Sequence, residues 1–407
     1  MKKSILQTLG PGLLFAGAAI GVSHLVQSTK AGAEFGAGLI WALVLAHLCK
    51  YPFFKFGPKY SAATGETLLE GYHKLGKGVL LAFFIMSFAT MFTIQAAVTI
   101  VTASLAVEVF GLTSDVTMWS LIILTISIFI LIIGRYKLLD NLMKYIILTL
   151  TLSTIAAVVV AFTKASDGLN VTQIIPSGTI EITFLIAFLG WMPAPLDVSV
   201  WHSIWSIEKD KTTLFKTEVN DAVFDFNIGY LGTLFVGICF VLLGALVMYG
   251  SGEIFSDKGV VFANQLIQLY TKNLGSFSAI FIAVAAFTTM FSTTITALDA
   301  SPRAMDISSR LLFHKDWKKG YWFWIIFLGI GTLVILAYFS ENMGSMVKIA
   351  TIISFLTTPL YAILNYKLIT SKHVPEEHRP NKIMRWGSIV SIVILIAFSI
   401  WFIYSLS

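Results

Sequence analysis

Phe188 to Ser199 reads FLGWMPAPLDVS, an apolar stretch with Pro193 and Pro195 near its middle. Each proline removes a backbone donor and clashes with the preceding helical turn. In lipid, such a break survives only where protein or a water-filled cavity satisfies the freed backbone groups. Far upstream, Gly10 to Ser28 (GPGLLFAGAAIGVSHLVQS) is apolar and then interrupted at Gly21-Val22-Ser23-His24. Two broken helices at matching places in two halves of a membrane protein point to a transport site.

The surroundings fit that reading. The chain of 407 residues is 57% hydrophobic and 12% charged, with a mean hydropathy of +0.82. Soluble domains carry about 25% charged residues, so the composition places the chain in a bilayer. The net charge of +6 is not a nucleic-acid footprint, because the basic residues sit in short loops between apolar runs, where they set orientation. Cys49 and Cys239 lie in apolar runs and read as small buried side chains. The start, MKKSILQTLGPG, reads as an uncleaved cytoplasmic tail. The sequence carries no soluble catalytic motif, phosphate loop or Cys-x-x-Cys, and it implies no enzyme activity and no cofactor.

At roughly 20 apolar residues per crossing, the pattern predicts an all-α integral membrane protein with eleven transmembrane helices. Their limits are about 10–34, 37–57, 79–110, 117–134, 142–163, 180–206, 226–249, 277–300, 321–340, 344–369 and 385–405. Most of the 28 basic residues then fall on one side. Lys2 and Lys3, Lys50 at a span end, and the loops with Lys55 and Lys59, Arg135 and Lys137, Lys209 and Lys211, Arg303 and Lys315, and Lys372 and Arg379, share that side. Lys30, Lys164, Lys258 and Lys272 lie opposite. The bias predicts a cytoplasmic amino terminus and an extracytoplasmic carboxyl terminus in the cell inner (plasma) membrane. Spans one and six are the broken ones. Being five apart, they start from opposite sides, the signature of a five-plus-five inverted repeat. The expected layout is one transporter domain over 1–407, with repeat one about 10–163, repeat two about 180–369 and an extra helix about 385–405. The sequence shows no residue-level repeat, so the symmetry comes from topology.

GPGLLFAGAAIGVSHLVQSTKAGAEFG (Gly10 to Gly36) resembles the first helix of the Nramp family of proton-coupled divalent-metal transporters. It shares the opening Gly-Pro, the interrupted middle and the exit with Ala31, Gly32, Ala33, Phe35 and Gly36. GLIWALVLAHL resembles the second helix, Met192-Pro193 the sixth, and Phe291 to Asp306 the eighth. The resemblance implies an amino-acid-transporter-like fold and divalent-metal uptake driven by protons. Where the family reads Asp-Pro-Gly-Asn, this chain reads Gly21, Val22, Ser23, His24. Where it reads Met-Pro-His-Asn, this chain reads Met192, Pro193, Ala194, Pro195. Two acids expected on the third helix fall at Gln95 and Val98. The metal carboxylate is absent.

The candidate substrate site therefore comprises Gly21, Val22, Ser23, His24, Leu189, Trp191, Met192 and Ala194. His24 and Met192 form a soft nitrogen–sulfur pair that suits later transition metals better than hard cations. His24 reads either as a metal ligand or coupling-proton carrier, or as a helix-end histidine bonded to a neighbour. Met192 reads equally as ligand or core filler. Asp197 reads as a cap of the inner half-helix or as a replacement acid, and His202 as an exit-path proton group or an interfacial histidine. Trp191 offers a face to an organic cation or packs on a neighbouring helix, and Trp205 reads as an interfacial anchor. Asp299, Arg303 and Asp306 predict an ion-pair cluster. Asp221 and Asp225 read as gating contacts or as solvated loop charges, and Thr351 and Asn365 as polar pathway positions. Three functions remain open: metal uptake, ion-coupled transport of a small organic solute such as an amine or amino acid, and a non-transporting sensor or scaffold.

Overall fold

Each expected span falls on a helix in the computed structural model, which describes residues 9–164, 169, 171–213, 216–275, 278–314, 317–339 and 341–406. The first span is α1 (Pro11–Ala19) and α2 (Ser23–Phe35), bent by 46° at a short break. The second is α3 (Ile40–Thr64), followed by the short α4 (Leu68–Leu75) and the third span, α5 (Lys77–Phe110). Then come α6 (Val116–Lys164), α7 (Thr179–Trp191), α8 (Val198–Thr213) and α9 (Val219–Val247). The chain continues through α10 (Gly259–Leu274), α11 (Ser278–Phe313), α12 (Gly320–Phe339), α13 (Met343–Ile369) and α14 (Lys382–Leu406). The broken sixth span is α7 plus α8. Lys2, Lys3 and Lys315 lie outside the described residues, as do the side chains of Arg135, Lys137, Lys164 and Lys272.

Seven helices among the described residues are long and apolar enough to cross a bilayer, eight with the bent pair; Leu148–Thr163 and Thr179–Trp191 are shorter apolar helices. The strongly apolar outer faces of α6, α12 and α14, including Phe129, Ile133, Ile330, Val334, Val393 and Ile400, are exposed, as a lipid-facing surface requires. One boundary differs from expectation. The fourth and fifth spans share a single helix of 49 residues, at 1.5 Å per residue about 73 Å, more than two hydrocarbon cores in length. The expected loop between them, residues 135–141, contains neither proline nor glycine, so nothing local stops the helix.

The first span is fastened to α9 along its length. At its amino-terminal end, Asp225 accepts hydrogen bonds from the backbone N–H groups of Gly10 (3.1 Å) and Gly12 (2.8 Å). These are orphan donors of the first turn of α1, and the carboxylate also meets the positive end of that helix. Asp225 is buried, which corrects its reading as a solvated loop charge: the sequence does not display a cap supplied from over two hundred residues away. Replacing Asp225 with Ala should cost about 1–2 kcal/mol, read as a lower Tm in detergent. Asp225→Asn should recover part of the loss, since the amide oxygen still accepts. Equal stability of all three proteins would remove the cap from the account.

Backbone contact continues along the span. A Cβ added at Gly12 or Gly229 would overlap a carbonyl of the opposite helix, and Gly32 and Gly244 repeat the arrangement between α2 and α9. Small residues let membrane helices approach in this way, where no hydrophobic force drives them together. Cys49 and Cys239 are buried and free, as expected.

Candidate functional site

The two breaks meet. In the first span, Gly21 N–H turns back to the Ala19 carbonyl (2.9 Å), leaving the Gly17 carbonyl without its usual partner. Thr293 of α11 supplies that partner through its hydroxyl, at 3.1 Å. The Ser23 hydroxyl lies 2.6 Å from Ala19 O, 2.7 Å from His24 Nδ1 and 3.3 Å from the Pro193 carbonyl in the opposite break. Ser23 is thus the side chain that touches both interruptions.

Between the breaks is a cavity of about 20 Å³, lined by Ala18, Ala19, Val22, Ser23, Ile94, Val98, Trp191, Ala194, Pro195, Val198, Trp201, Thr293 and Ala297. It has room for about one water. Its wall is apolar and aromatic, with two hydroxyls and no carboxylate. Trp191 is oriented by a hydrogen bond from its indole Nε1 to Ser354 Oγ, 2.8 Å away on α13.

Of the expected site residues, Val22, Ser23, Trp191 and Ala194 line this cavity; Gly21, His24, Leu189 and Met192 do not. Gly21 packs against α11, where a Cβ would stand 2.8 Å from Thr293 Oγ1. His24 is fully buried and faces away. Its Nε2 is 3.0 Å from the Thr233 carbonyl on α9, and its Nδ1 is 3.0 Å from the Ala19 carbonyl. With the proton on Nε2, the ring donates to Thr233 O and accepts the Ser23 hydroxyl at Nδ1. Both nitrogens are committed to the packing of the break, and the bonded helix-end reading describes its position. Met192 is buried at the end of α7, outside the cavity wall, so His24 and Met192 do not form a ligand pair there. Among the described residues no group of three or more His, Cys, Asp or Glu is placed to hold a metal.

Asp197 stands one residue before α8. Its carbonyl receives the first helical N–H groups, from Val200 (2.8 Å) and Trp201 (3.3 Å), so its position is that of a cap. Its side chain is buried and Oδ1 has no protein partner. His202 is buried one turn on, stacked on Phe15 with ring centroids 5.8 Å apart, and neither ring nitrogen has a partner. It borders a small cavity with Lys209, Asp210 and Asp225. Trp205, expected at the interface, is instead buried against Trp201.

The third-span positions divide. Val98 lines the cavity, while Gln95 donates from Nε2 to Thr99 Oγ1 and the Thr294 carbonyl, both 3.3 Å away. Asn365 ties helices together rather than lining a path: its Nδ2 donates to Phe53 O (3.1 Å) and Ser199 Oγ (2.9 Å), and its Oδ1 accepts from Tyr72. Thr351 bonds within its own helix. The expected charge cluster exists. Arg303 Nε is 2.8 Å from Asp299 Oδ2, Tyr321 donates to Asp299, and Arg310 is 3.0 Å from Asp306. Arg303, Asp306 and Arg310, with Glu70, Glu208 and Lys211, border a charged vestibule of about 410 Å³.

Sequence reasoning passed over Lys50, which looked like a lysine at a span end. It is completely buried on α3. Its Nζ donates to the carbonyls of Leu189 (2.8 Å), Gly190 (2.7 Å) and Ala194 (3.2 Å) in the sixth-span break. A signal was available: Pro193 cannot donate to Leu189, four residues earlier, so that carbonyl needed a partner from elsewhere.

Comparison with known proteins agrees with this architecture. A manganese transporter of Eremococcus coleocola, solved in complex with an aromatic bis-isothiourea substituted compound, superposes with a TM-score of 0.73 at 12% identity, covering 97% of this chain and 85% of that one. MhsT in complex with L-phenylalanine gives 0.65 at 15% identity, over 96% of this chain and 98% of that one. Mhp1, a nucleobase-cation-symport-1 family transporter, gives 0.62 at 16% identity, over 98% and 92%. At these identities the likeness establishes the fold, an inverted-repeat, amino-acid-transporter-like arrangement with discontinuous first and sixth helices. In sequence, an uncharacterised protein of Pasteurella multocida (strain Pm70) is 37% identical over 402 residues, 97% of this chain and 91% of that protein. Residues 12–405 match the natural resistance-associated macrophage protein-like family, and the chain, a multi-pass membrane protein, belongs to the Nramp family.

Proposed function

We propose that this protein is a secondary active transporter of the plasma membrane that takes up a divalent metal ion with protons, by alternating access around the two breaks. The observation that carries the reading is the meeting of the interruptions at Ser23, whose hydroxyl reaches the Pro193 carbonyl at 3.3 Å beside a cavity lined from both spans. Family membership and the fold shared with a manganese transporter support metal as the cargo. The oxygen groups at the break are the Ser23 and Thr293 hydroxyls and the carbonyls of Ala19 and Pro193, an all-oxygen set of the kind hard cations take. Protons would pass by Asp197 and His202, the two buried ionisable groups with unpartnered atoms on the inner half of the sixth span, and leave by the charged vestibule. The amino terminus is cytoplasmic in this reading.

A second reading has its own observation. The cavity wall carries Trp191, Trp201 and aliphatic side chains and no acid, which suits a small organic solute such as an amine or amino acid. One experiment separates the two. Purified full-length protein is titrated by calorimetry with Mn²⁺, Fe²⁺ and Zn²⁺, then with a panel of amines and amino acids, beside an Ala194→Leu variant that fills the cavity. Saturable Mn²⁺ binding that Ala194→Leu abolishes is the expected result. Binding of an organic solute alone would transfer the site to the second reading, and no binding by either class would leave a sensor or scaffold.

A further inference from the structure

The broken sixth span frees carbonyls that need donors. Pro193 has no N–H for Leu189 O, and the chain leaves the helix before Ala194 can serve Gly190 O. Lys50 answers both, and the Ala194 carbonyl as well, at 2.7 to 3.2 Å. An ammonium has three protons, and here each has a carbonyl. The side chain reaches this point from a different span and is entirely buried. Among the described residues Lys50 makes no ion pair within bonding distance; its hydrogen-bond partners are the three carbonyls. A single positive charge ringed by unwound carbonyls, without a bonded anion, is the arrangement by which discontinuous helices coordinate a cation. An ionisable side chain so placed inside a membrane has a functional reading by default.

We propose that Lys50 is a tethered cation: its ammonium fills the cation seat of the broken sixth span and is the specificity-determining residue that bars free cations from those three carbonyls. The sixth span then needs no free ion to hold its break together. A cargo cation is confined to the other side of the break, at Ser23 and Pro193. The inference rests on the reading above only for where cargo sits; the occupied seat stands on its own geometry.

The test removes the charge and keeps the chain length. Lys50→Met is purified as full-length protein in a buffer whose only cation is bulky, and its thermal unfolding is followed against ammonium, methylammonium, Na⁺ and K⁺. The expected result is a lowered Tm that rises saturably by several degrees with ammonium or methylammonium, while the wild type stays flat. A lysine that merely fills space predicts no cation dependence. A Lys50→Met protein insensitive to all four ions, or a wild type that responds equally, would overturn the proposal. If Lys50→Met cannot be recovered in the bulky-cation buffer, recovery of monodisperse Lys50→Met or Lys50→Gln only when ammonium is present supports the seat, and failure of both with every ion overturns it. Failure of the cargo reading shows instead in the wild type, as absent metal binding, and leaves this rescue untouched.

Discussion

Gly32→Ala is expected to lose most or all folded protein, although it adds a single methyl group. The new Cβ would overlap the Val241 carbonyl and stand 2.8 Å from the Ala245 nitrogen on α9. Both obstacles are backbone, so neither can rotate away, and α2 and α9 must separate. Overpacking of this kind costs about 3 kcal/mol or more at a rigid contact, a large share of the 5–15 kcal/mol or so that holds a typical protein folded. Gly78→Ala is the matched control. It lies in the first turn of α5 with nothing within 4 Å of its added Cβ, and should leave stability unchanged or slightly raised. Size-exclusion profiles and unfolding temperatures in detergent report both. Similar behaviour of the two variants would mean that α2 and α9 are not in backbone contact.

The second large effect concerns restoring the family's first-helix residues. Gly21→Asp with His24→Asn supplies a carboxylate and an amide at the break, yet it is expected to destabilise the protein and bind no additional Mn²⁺. Two obstacles act at once. The Cβ at position 21 meets Thr293 Oγ1 at 2.8 Å, and asparagine is too short to replace the imidazole bond to the Thr233 carbonyl (3.0 Å). Each costs about 1–3 kcal/mol. The sites adjoin, so the costs are not expected to add. Adding Thr293→Ala makes room for the new side chain and should restore part of the Tm; that triple variant is the background in which a gain of Mn²⁺ affinity should appear. A double variant as stable as the parent, already tighter for Mn²⁺, would sink the argument.

The breaks were legible in the sequence because their causes are local. Pro193 and Pro195 remove donors wherever the chain goes, and Gly21-Val22-Ser23-His24 interrupts an apolar run. The span pattern was legible for the same reason, since each crossing needs its own apolar length. What stayed hidden depends on partners distant in sequence. Lys50 looked like any lysine near a helix end, because the groups that hold it are backbone carbonyls about 140 residues away and carbonyls leave no mark in side-chain identity. Asp225 looked solvated because the donors it caps belong to the start of the chain. His24 stood out as an ionisable group in an apolar run, but its direction was not legible: the choice between cavity and α9 is set by the π-wound turn Ser23–Ser28, a geometry that residue types do not specify.

The fastening of the first span to α9 has a mechanical consequence. The cap at Asp225, the imidazole strut at His24 and the glycine seams at both ends join the two elements at three heights. Together they form a beam with a splint, and neither part can slide or roll on the other without shearing backbone from backbone. By contrast, the hydrogen bond described between α1 and α11 is one hydroxyl, Thr293 to Gly17, at 3.1 Å. Any tilt of the first span that leaves the seams intact carries α9 with it, and draws on the Thr293 bond to α11.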